Sequence, residues 1–146
     1  MSKTVYLIGS LRNPEIPLLG NRLRTLGVEV FDNLFSAGKI ADDSWQEYSN
    51  IRGHTYEEAL NSYEAKHVFE FDLHHLNRSS VGVLAMPAGK SGHIEFGYLV
   101  GQGKPGFVLF DAVPERYDVM YQFAYLNGGS VCFSEEALLA AMKKVL

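Results

Sequence analysis

The sequence predicts an α/β protein built on a single doubly wound parallel sheet of five strands, in the order 2-1-3-4-5, with helices on both faces. Short apolar runs alternate with helical patterns along the chain, which is the pattern of such sheets. The strands are apolar without alternation, as expected when helices cover both faces. The chain has 146 residues, enough for one domain with one sizeable core, so a single domain is expected over residues 1–146.

The first elements predict a strand, a helix and a second strand. The apolar run Thr4–Ser10 contains glycine near its end and predicts a buried strand. A helix should follow, with Asn13 as its N-cap, Pro14 at its first position and Gly27 as its C-terminal stop. The second strand is expected at 28–31.

The segment 32–52 lacks clear periodicity and predicts a long loop. Such loops in compact domains are often functional lids, and this one holds Tyr48 and the single tryptophan of the chain, Trp45. We interpret it as a lid, because two large aromatic side chains are costly to leave on a loop without a function. A plain surface excursion is the alternative.

The remaining chain predicts three more strands separated by helices. Helical structure is expected over 55–77, as one helix or two, over 91–101 and 117–126, and in a closing helix capped by Ser134. Strands are expected over 81–86, 106–110 and 130–133.

Ligands of doubly wound sheets bind at the carboxyl ends of the strands, where the strand order reverses. In the flavodoxin-like order 2-1-3-4-5, the turns after the first and third strands face one crevice. The first turn holds Gly9, Ser10 and Arg12, and the second is the glycine-rich stretch PAGKSGH, which contains Gly89 and His93. Arg12 is either a phosphate contact or a solvated surface side chain, and His93 is either a ligand contact or a residue without a ligand role.

Two nucleotide-binding motifs fail in these turns. A P-loop ending in GKS requires a glycine where Leu84 stands, and the dinucleotide fingerprint requires three glycines where GSLRNP has one. The glycine-rich turn therefore has another use.

A carboxylate follows that turn. If Ser91 caps the helix, Glu95 is its fourth residue and lies close to the crevice, where the positive end of the helix dipole favours a charged carboxylate. We expect an apolar, tightly packed setting, in which Gly92, Gly97 and Gly101 allow close approach of the backbone. The alternative is a glutamate that only complements the dipole.

A second carboxylate belongs to the segment AKHVFEFDLHHL. Helical spacing places Asp72 beside Val68, Phe69 and Leu76, on the apolar face. A buried carboxylate is costly unless it is paired, so Asp72 is either bonded to a structural partner or used in chemistry. Two carboxylates in one cleft suggest glycosyl chemistry, with one as nucleophile at the anomeric carbon and the other as acid for the leaving group.

Composition excludes several classes of function. The chain has one cysteine, Cys132, which rules out an intrachain disulfide and a metal site built on several thiolates, and we expect it in the core. The formal net charge of −4, without a Lys/Arg cluster, argues against nucleic acid. No apolar run is long enough for a membrane span and no secretion leader is recognised, so we expect a cytoplasmic protein that binds a small molecule, without metal or cofactor.

The stretches VYLIGS, FEFDLHHL and EFGYLVGQGKP, in this order and spacing, resemble the nucleoside 2-deoxyribosyltransferases and the related nucleoside 5′-monophosphate N-glycosidases. The resemblance covers roughly residues 5–131. It implies that Glu95 attacks C1′ of the sugar, that Asp72 handles the departing base and that Tyr6 orients the nucleophile by a hydrogen bond. It also implies that Ser10, Arg12 and Ser91 hold a 5′-phosphate in the hydrolases.

The chain departs from the family pattern at two positions. Gly89 stands where transferases often have an aspartate, six residues before the nucleophile. Asp118, in Asp-Val-Met, stands where the family often supplies an asparagine to a neighbouring subunit. The resemblance implies a homo-oligomer, a dimer or larger, with shared site residues. Three hypotheses follow: transfer of deoxyribose between bases, hydrolysis of a nucleoside 5′-monophosphate, and a non-catalytic nucleotide-binding or sensor module.

Overall fold

The structure, a computed structural model, describes residues 3–10, 12–32 and 41–146. Five parallel strands pair in the order β2-β1-β3-β4-β5, which confirms the predicted α/β fold and strand order. The strands are β1 (Thr4–Ile8), β2 (Glu29–Asp32), β3 (Val81–Ala85), β4 (Gly106–Leu109) and β5 (Ser130–Cys132).

Helices surround this sheet. In chain order they are α1 (Glu15–Arg24), α2 (Ala41–Ile51), α3 (Tyr56–Leu60), α4 (Tyr63–Arg78), α5 (Lys90–Gly101), a 3₁₀-helix (Val119–Tyr125) and α6 (Glu135–Lys143). The helical region expected over 55–77 is thus two helices, and the one expected over 117–126 is a 3₁₀-helix.

Helix starts follow the predicted chemistry with small shifts. The Ser134 side chain accepts a hydrogen bond from the Ala137 N–H and caps α6, as predicted. Asn13 is not the N-cap of α1, because Pro14 takes that position; the Asn13 side chain instead accepts from the Glu15 N–H at 3.0 Å, so it still satisfies a free amide of the first turn.

The prediction of an irregular segment over 32–52 is wrong where the structure describes it, because residues 41–51 form α2. Ser49 and the half-buried Trp45, rather than aliphatic residues, form the buried side of this helix. The sequence therefore shows no helical period of apolar residues there. The lid prediction also covers residues 33–40, which lie outside the described residues.

The side chains of β1 divide between two core clusters. Val5 and Leu7 point to the face covered by α1 and α6, together with Cys132, which is 4% exposed and confirms the prediction of a core cysteine. Tyr6 and Ile8 point to the opposite face. There they meet side chains of α4 and α5, which include Leu76 and Phe96. The alternation therefore places the Tyr6 side chain beneath the two helices that carry the predicted carboxylates.

None of the described helices is both long and apolar enough to cross a membrane.

Candidate active site

The structure joins Tyr6 and Glu95. The Tyr6 side chain is fully buried, and its hydroxyl donates a hydrogen bond to Glu95 Oε2. Glu95 itself is half-buried on α5. This is the contact that the resemblance implies for these two residues, and it lies where β1 and α5 meet.

The position of Glu95 in its helix differs from the prediction. Gly89, not Ser91, is the N-cap, and Ser91 is exposed. Glu95 is therefore the sixth residue of α5 rather than the fourth after a cap. The helix dipole acts mainly within the first turn, so the hydrogen bond from Tyr6 is the clearer source of support for a charged carboxylate at this position.

Only one of the three glycines in question makes the predicted close approach. A Cβ atom at Gly92 would lie 2.7 Å from Ile8 Cγ2. Helix α5 can therefore contact β1 at this point only because Gly92 has no side chain. The same atom at Gly97 or Gly101 would meet nothing within 4 Å, so the prediction is wrong for these two residues.

An aromatic cluster supports Tyr6 from the side of α4. The Phe31 ring lies 5.0 Å from the Tyr6 ring, and His75 stacks on Phe31 with 4.0 Å between ring centres. The His75 Nδ1 atom accepts a hydrogen bond from Arg78 Nε at 2.9 Å. Burial, with the nearby charges of Arg78 and His74, lowers the pKa of His75. Because Nδ1 accepts this hydrogen bond, a neutral imidazole fits the site, and His75 was not among the predicted site residues.

Asp72 lies on α4, three residues before His75, and is half-buried. Its predicted apolar surroundings are only partly present, since Leu76 is buried but Phe69 is 60% exposed. Helix α4 packs against both β1 and α5. The helix that carries Asp72 therefore contacts the two elements that carry Tyr6 and Glu95.

His93 lies on another side of α5. It is two residues from Glu95, about 200° around the helix. The His93 Nδ1–H donates to the Gly89 carbonyl oxygen at 2.8 Å, so its Nε2 atom accepts from the Tyr121 hydroxyl, 2.9 Å away. The ring thus ties the glycine turn to the 3₁₀-helix instead of facing Glu95.

Tyr121 bonds to His93 and lies near Asp118, although it was not among the predicted site residues. Asp118 caps the 3₁₀-helix by accepting from the Met120 N–H at 2.9 Å. Burial, and after it the charge of Asp118, raises the pKa of Tyr121. The spacing of Asp118 and Tyr121, three residues apart, was the signal available in the sequence. A cleft of about 370 Å³ opens here, lined by Leu84, His93, Phe96, Gly97, Asp118, Met120, Tyr121 and Phe123.

The turn after β1 is tied to α2. Gly9 packs against Ile16, and Ser10 is half-buried. Arg12 is exposed, and its Nη2 atom lies 3.0 Å from Asp43 Oδ2 on α2. Arg12 is therefore an exposed side chain with an ion-pair partner, Asp43, that the sequence analysis did not predict.

Trp45 and Tyr48 lie on α2, three residues apart. Trp45 is half-buried, while Tyr48 is 54% exposed and has the Arg52 guanidinium 5.8 Å from its ring centre. Helix α2 packs against α4, so it belongs to the same side of the sheet as Asp72.

No metal site is found in the described part of the chain, where no three His, Cys, Asp or Glu side chains are placed to share an ion.

The fold and this arrangement define an α/β protein of flavodoxin-like strand order, with a glutamate held by a tyrosine between β1 and α5. No protein-family model matches the sequence, and no curated protein sequence matches it. One matching solved structure is a 2-deoxyribosyltransferase from the psychrotolerant bacterium Bacillus psychrosaccharolyticus, with a TM-score of 0.54 and 17% sequence identity. The match covers 93% of this chain and 90% of that chain, so the two share a fold over nearly their whole lengths.

Proposed function

We propose that this protein is an enzyme that cleaves the N-glycosidic bond of a 2-deoxynucleoside and transfers the deoxyribosyl group to a second base. The observation that carries the proposal is the hydrogen bond from the buried Tyr6 hydroxyl to Glu95. It gives the Glu95 carboxylate a defined orientation, which a nucleophile requires. The solved structure with the same fold is a 2-deoxyribosyltransferase described as a biocatalyst for the synthesis of nucleosides.

In the first step, an oxygen of Glu95 forms a bond to C1′ while the bond from C1′ to the base nitrogen breaks. The electron pair of that bond goes to the base, which takes a proton from the Asp72 carboxyl group. The sugar is then an ester of Glu95. In the second step, a nitrogen of another base attacks C1′, Glu95 leaves as a carboxylate, and Asp72 takes the proton of the incoming base.

Tyr6 has a positioning role in this scheme. A hydrogen bond donated to the charged carboxylate favours the ionised form that attacks C1′. The Phe31 ring packs against Tyr6, and His75 of α4 stacks on Phe31. These two rings restrict the movement of the Tyr6 side chain. The nucleophile is thus oriented by core residues.

The remaining predicted residues are proposed to hold the substrate. The turns with Gly9, Ser10, Arg12, Gly89, Ser91 and Gly92 would surround the sugar, with Trp45 and Tyr48 beside the base and His93 holding the glycine turn. Asp118 would act on the site of a second copy. Exposed apolar side chains next to it, Val119 and Met120 at 68% and 59%, support such a homo-oligomer.

Base exchange tests the proposal. The protein is incubated with each common 2-deoxynucleoside, with and without a second free base, and the products are separated by chromatography. We expect a new deoxynucleoside only when the second base is present. Glu95→Ala and Glu95→Gln should abolish the exchange, whereas Glu70→Gln, the same change at an exposed glutamate of α4, should leave it intact.

The same assay separates the two other hypotheses. Release of base from a nucleoside 5′-monophosphate without exchange would indicate the hydrolase. Nucleotide binding that survives Glu95→Gln, with no product from any substrate, would indicate the binding or sensor module and contradict an enzyme. Fold does not decide among these, because one fold serves many functions.

A further inference from the structure

The ion pair of Arg12 and Asp43 joins the crevice turn to α2. The distance from Arg12 Nη2 to Asp43 Oδ2 is 3.0 Å, and the two side chains are 77% and 60% exposed. The Arg12 N–H also donates to Ser10 Oγ at 3.3 Å, which orders the turn itself. Because α2 packs against α4, the pair lies on the side of the sheet that carries Asp72.

The pair changes what this edge of the crevice can bind. Among Ser10, Arg12 and Ser91, the residues considered for the 5′ end of a substrate, only Arg12 is charged. A 5′-phosphate that binds Arg12 must displace Asp43 from the guanidinium or lie beside its carboxylate. In water, a dianion about 4 Å from a carboxylate binds roughly thirty-fold more weakly for that reason, and salt reduces the effect.

A 5′-hydroxyl meets the opposite situation. It is neutral, and its O–H donates a hydrogen bond that a carboxylate such as Asp43 accepts. A phosphate dianion has only acceptor oxygens to offer. The same carboxylate is therefore compatible with a free nucleoside and repels its 5′-monophosphate.

We propose that Asp43 is a specificity-determining residue, which selects free nucleosides over nucleoside 5′-monophosphates by holding Arg12 and by repelling phosphate. The proposal rests on the proposed function, since it concerns the substrate of that site. It assigns a role to a residue of α2 that is distant in sequence from both crevice turns.

Binding tests the proposal independently of turnover. Trp45, the single tryptophan, lies two residues from Asp43, so its fluorescence reports on ligands at this edge. Each common 2-deoxynucleoside and its 5′-monophosphate are titrated at low and high salt, with calorimetry as a second readout. The variants are Asp43→Asn, the double variant Arg12→Gln/Asp43→Asn, and Asp111→Asn, which makes the same charge change at an exposed aspartate after β4. Circular dichroism checks that each variant folds.

We expect the unaltered protein to bind the nucleoside at least ten-fold more tightly than the monophosphate. Asp43→Asn should bind the monophosphate more tightly, which reduces that preference about ten-fold, mostly at low salt. The double variant, which also lacks the guanidinium, should lose this gain in monophosphate binding. Asp111→Asn should leave the preference unchanged. A preference for the monophosphate in the unaltered protein overturns the proposal. So does an Asp43→Asn variant with unchanged preference, or a lack of binding to every ligand. Selective nucleoside binding without base exchange would support the role of Asp43 while rejecting the transferase.

Discussion

The contact between α5 and β1 at Gly92 gives a quantitative prediction for Gly92→Ala. The added Cβ atom would lie 2.7 Å from Ile8 Cγ2, whereas ordinary contacts begin at 3.4 Å. Ile8 is 1% exposed and β-branched, so its methyl group has little freedom to move. Overpacking of this kind costs about 1–3 kcal/mol. Alanine in a helix offsets about 0.5–1 kcal/mol of that cost relative to glycine. We expect a net loss of about 0–2.5 kcal/mol in the free energy of unfolding, with a central value of about 1 kcal/mol.

Gly97→Ala is the matched control, because it makes the same change in the same helix with nothing within 4 Å of the new atom. It should raise the free energy of unfolding by about 0.5–1 kcal/mol. Urea unfolding of both variants, with equal m-values, measures the difference. Base exchange should also fall in Gly92→Ala, since a displaced α5 moves Glu95 away from Tyr6. Equal stabilisation by both substitutions would refute the close contact as the reason for Gly92.

Three further predictions concern single side chains. Tyr6→Phe removes the hydrogen bond to Glu95 and should lower kcat about 10–100-fold, as measured by base exchange, and it should also lower the unfolding midpoint in thermal melting, because one hydrogen bond to a carboxylate contributes about 1–3 kcal/mol. Burial lowers the pKa of His75 from its ordinary 6.5, so below pH 6.5 the unfolded chain binds this proton more readily than the folded one. The free energy of unfolding should therefore be largest above pH 6.5 and fall as pH decreases; His75→Phe, which keeps the stack on Phe31, should flatten that dependence in urea titrations at several pH values. Lys104 donates to two backbone carbonyls at the end of α4, at 2.8 and 3.2 Å, so Lys104→Met should cost about 1 kcal/mol in urea unfolding, while retained stability would show that water replaces the ammonium group.

The sheet was predictable because each strand is a continuous apolar run bounded by turn residues. The approach of α5 to β1 was predicted in part, since Gly92 makes the close approach that was expected of three glycines in this helix. Helix α2 was missed because its buried side uses Trp45 and Ser49, which carry no aliphatic period. Local sequence patterns indicate which segments form strands and helices. They are less informative for a helix such as α2, whose buried residues depend on the other helices that it packs against.

The residues of the candidate site differ in the same way, because some have a local sequence signal and others do not. Glu95 stood out by its position after a glycine turn, and Asp72 by its apolar neighbours in a helical pattern. Asp43 carried no such signal, because its partner Arg12 is 31 positions away and on another element. Contacts between distant segments follow from the packing of the whole chain, so single-sequence patterns do not contain them.

The placement of Tyr6 affects how the protein tolerates change during evolution or engineering. Tyr6 is at once a fully buried core side chain and the hydrogen-bond donor to Glu95, so a substitution there is constrained by both folding and chemistry. Exposed positions of α2, such as Asp43 and Tyr48, are not constrained by core packing in this way. Variation is therefore less costly at the exposed positions of the helix that we associate with substrate choice, and a library confined to those positions could change which substrates are accepted while the core keeps the nucleophile in place.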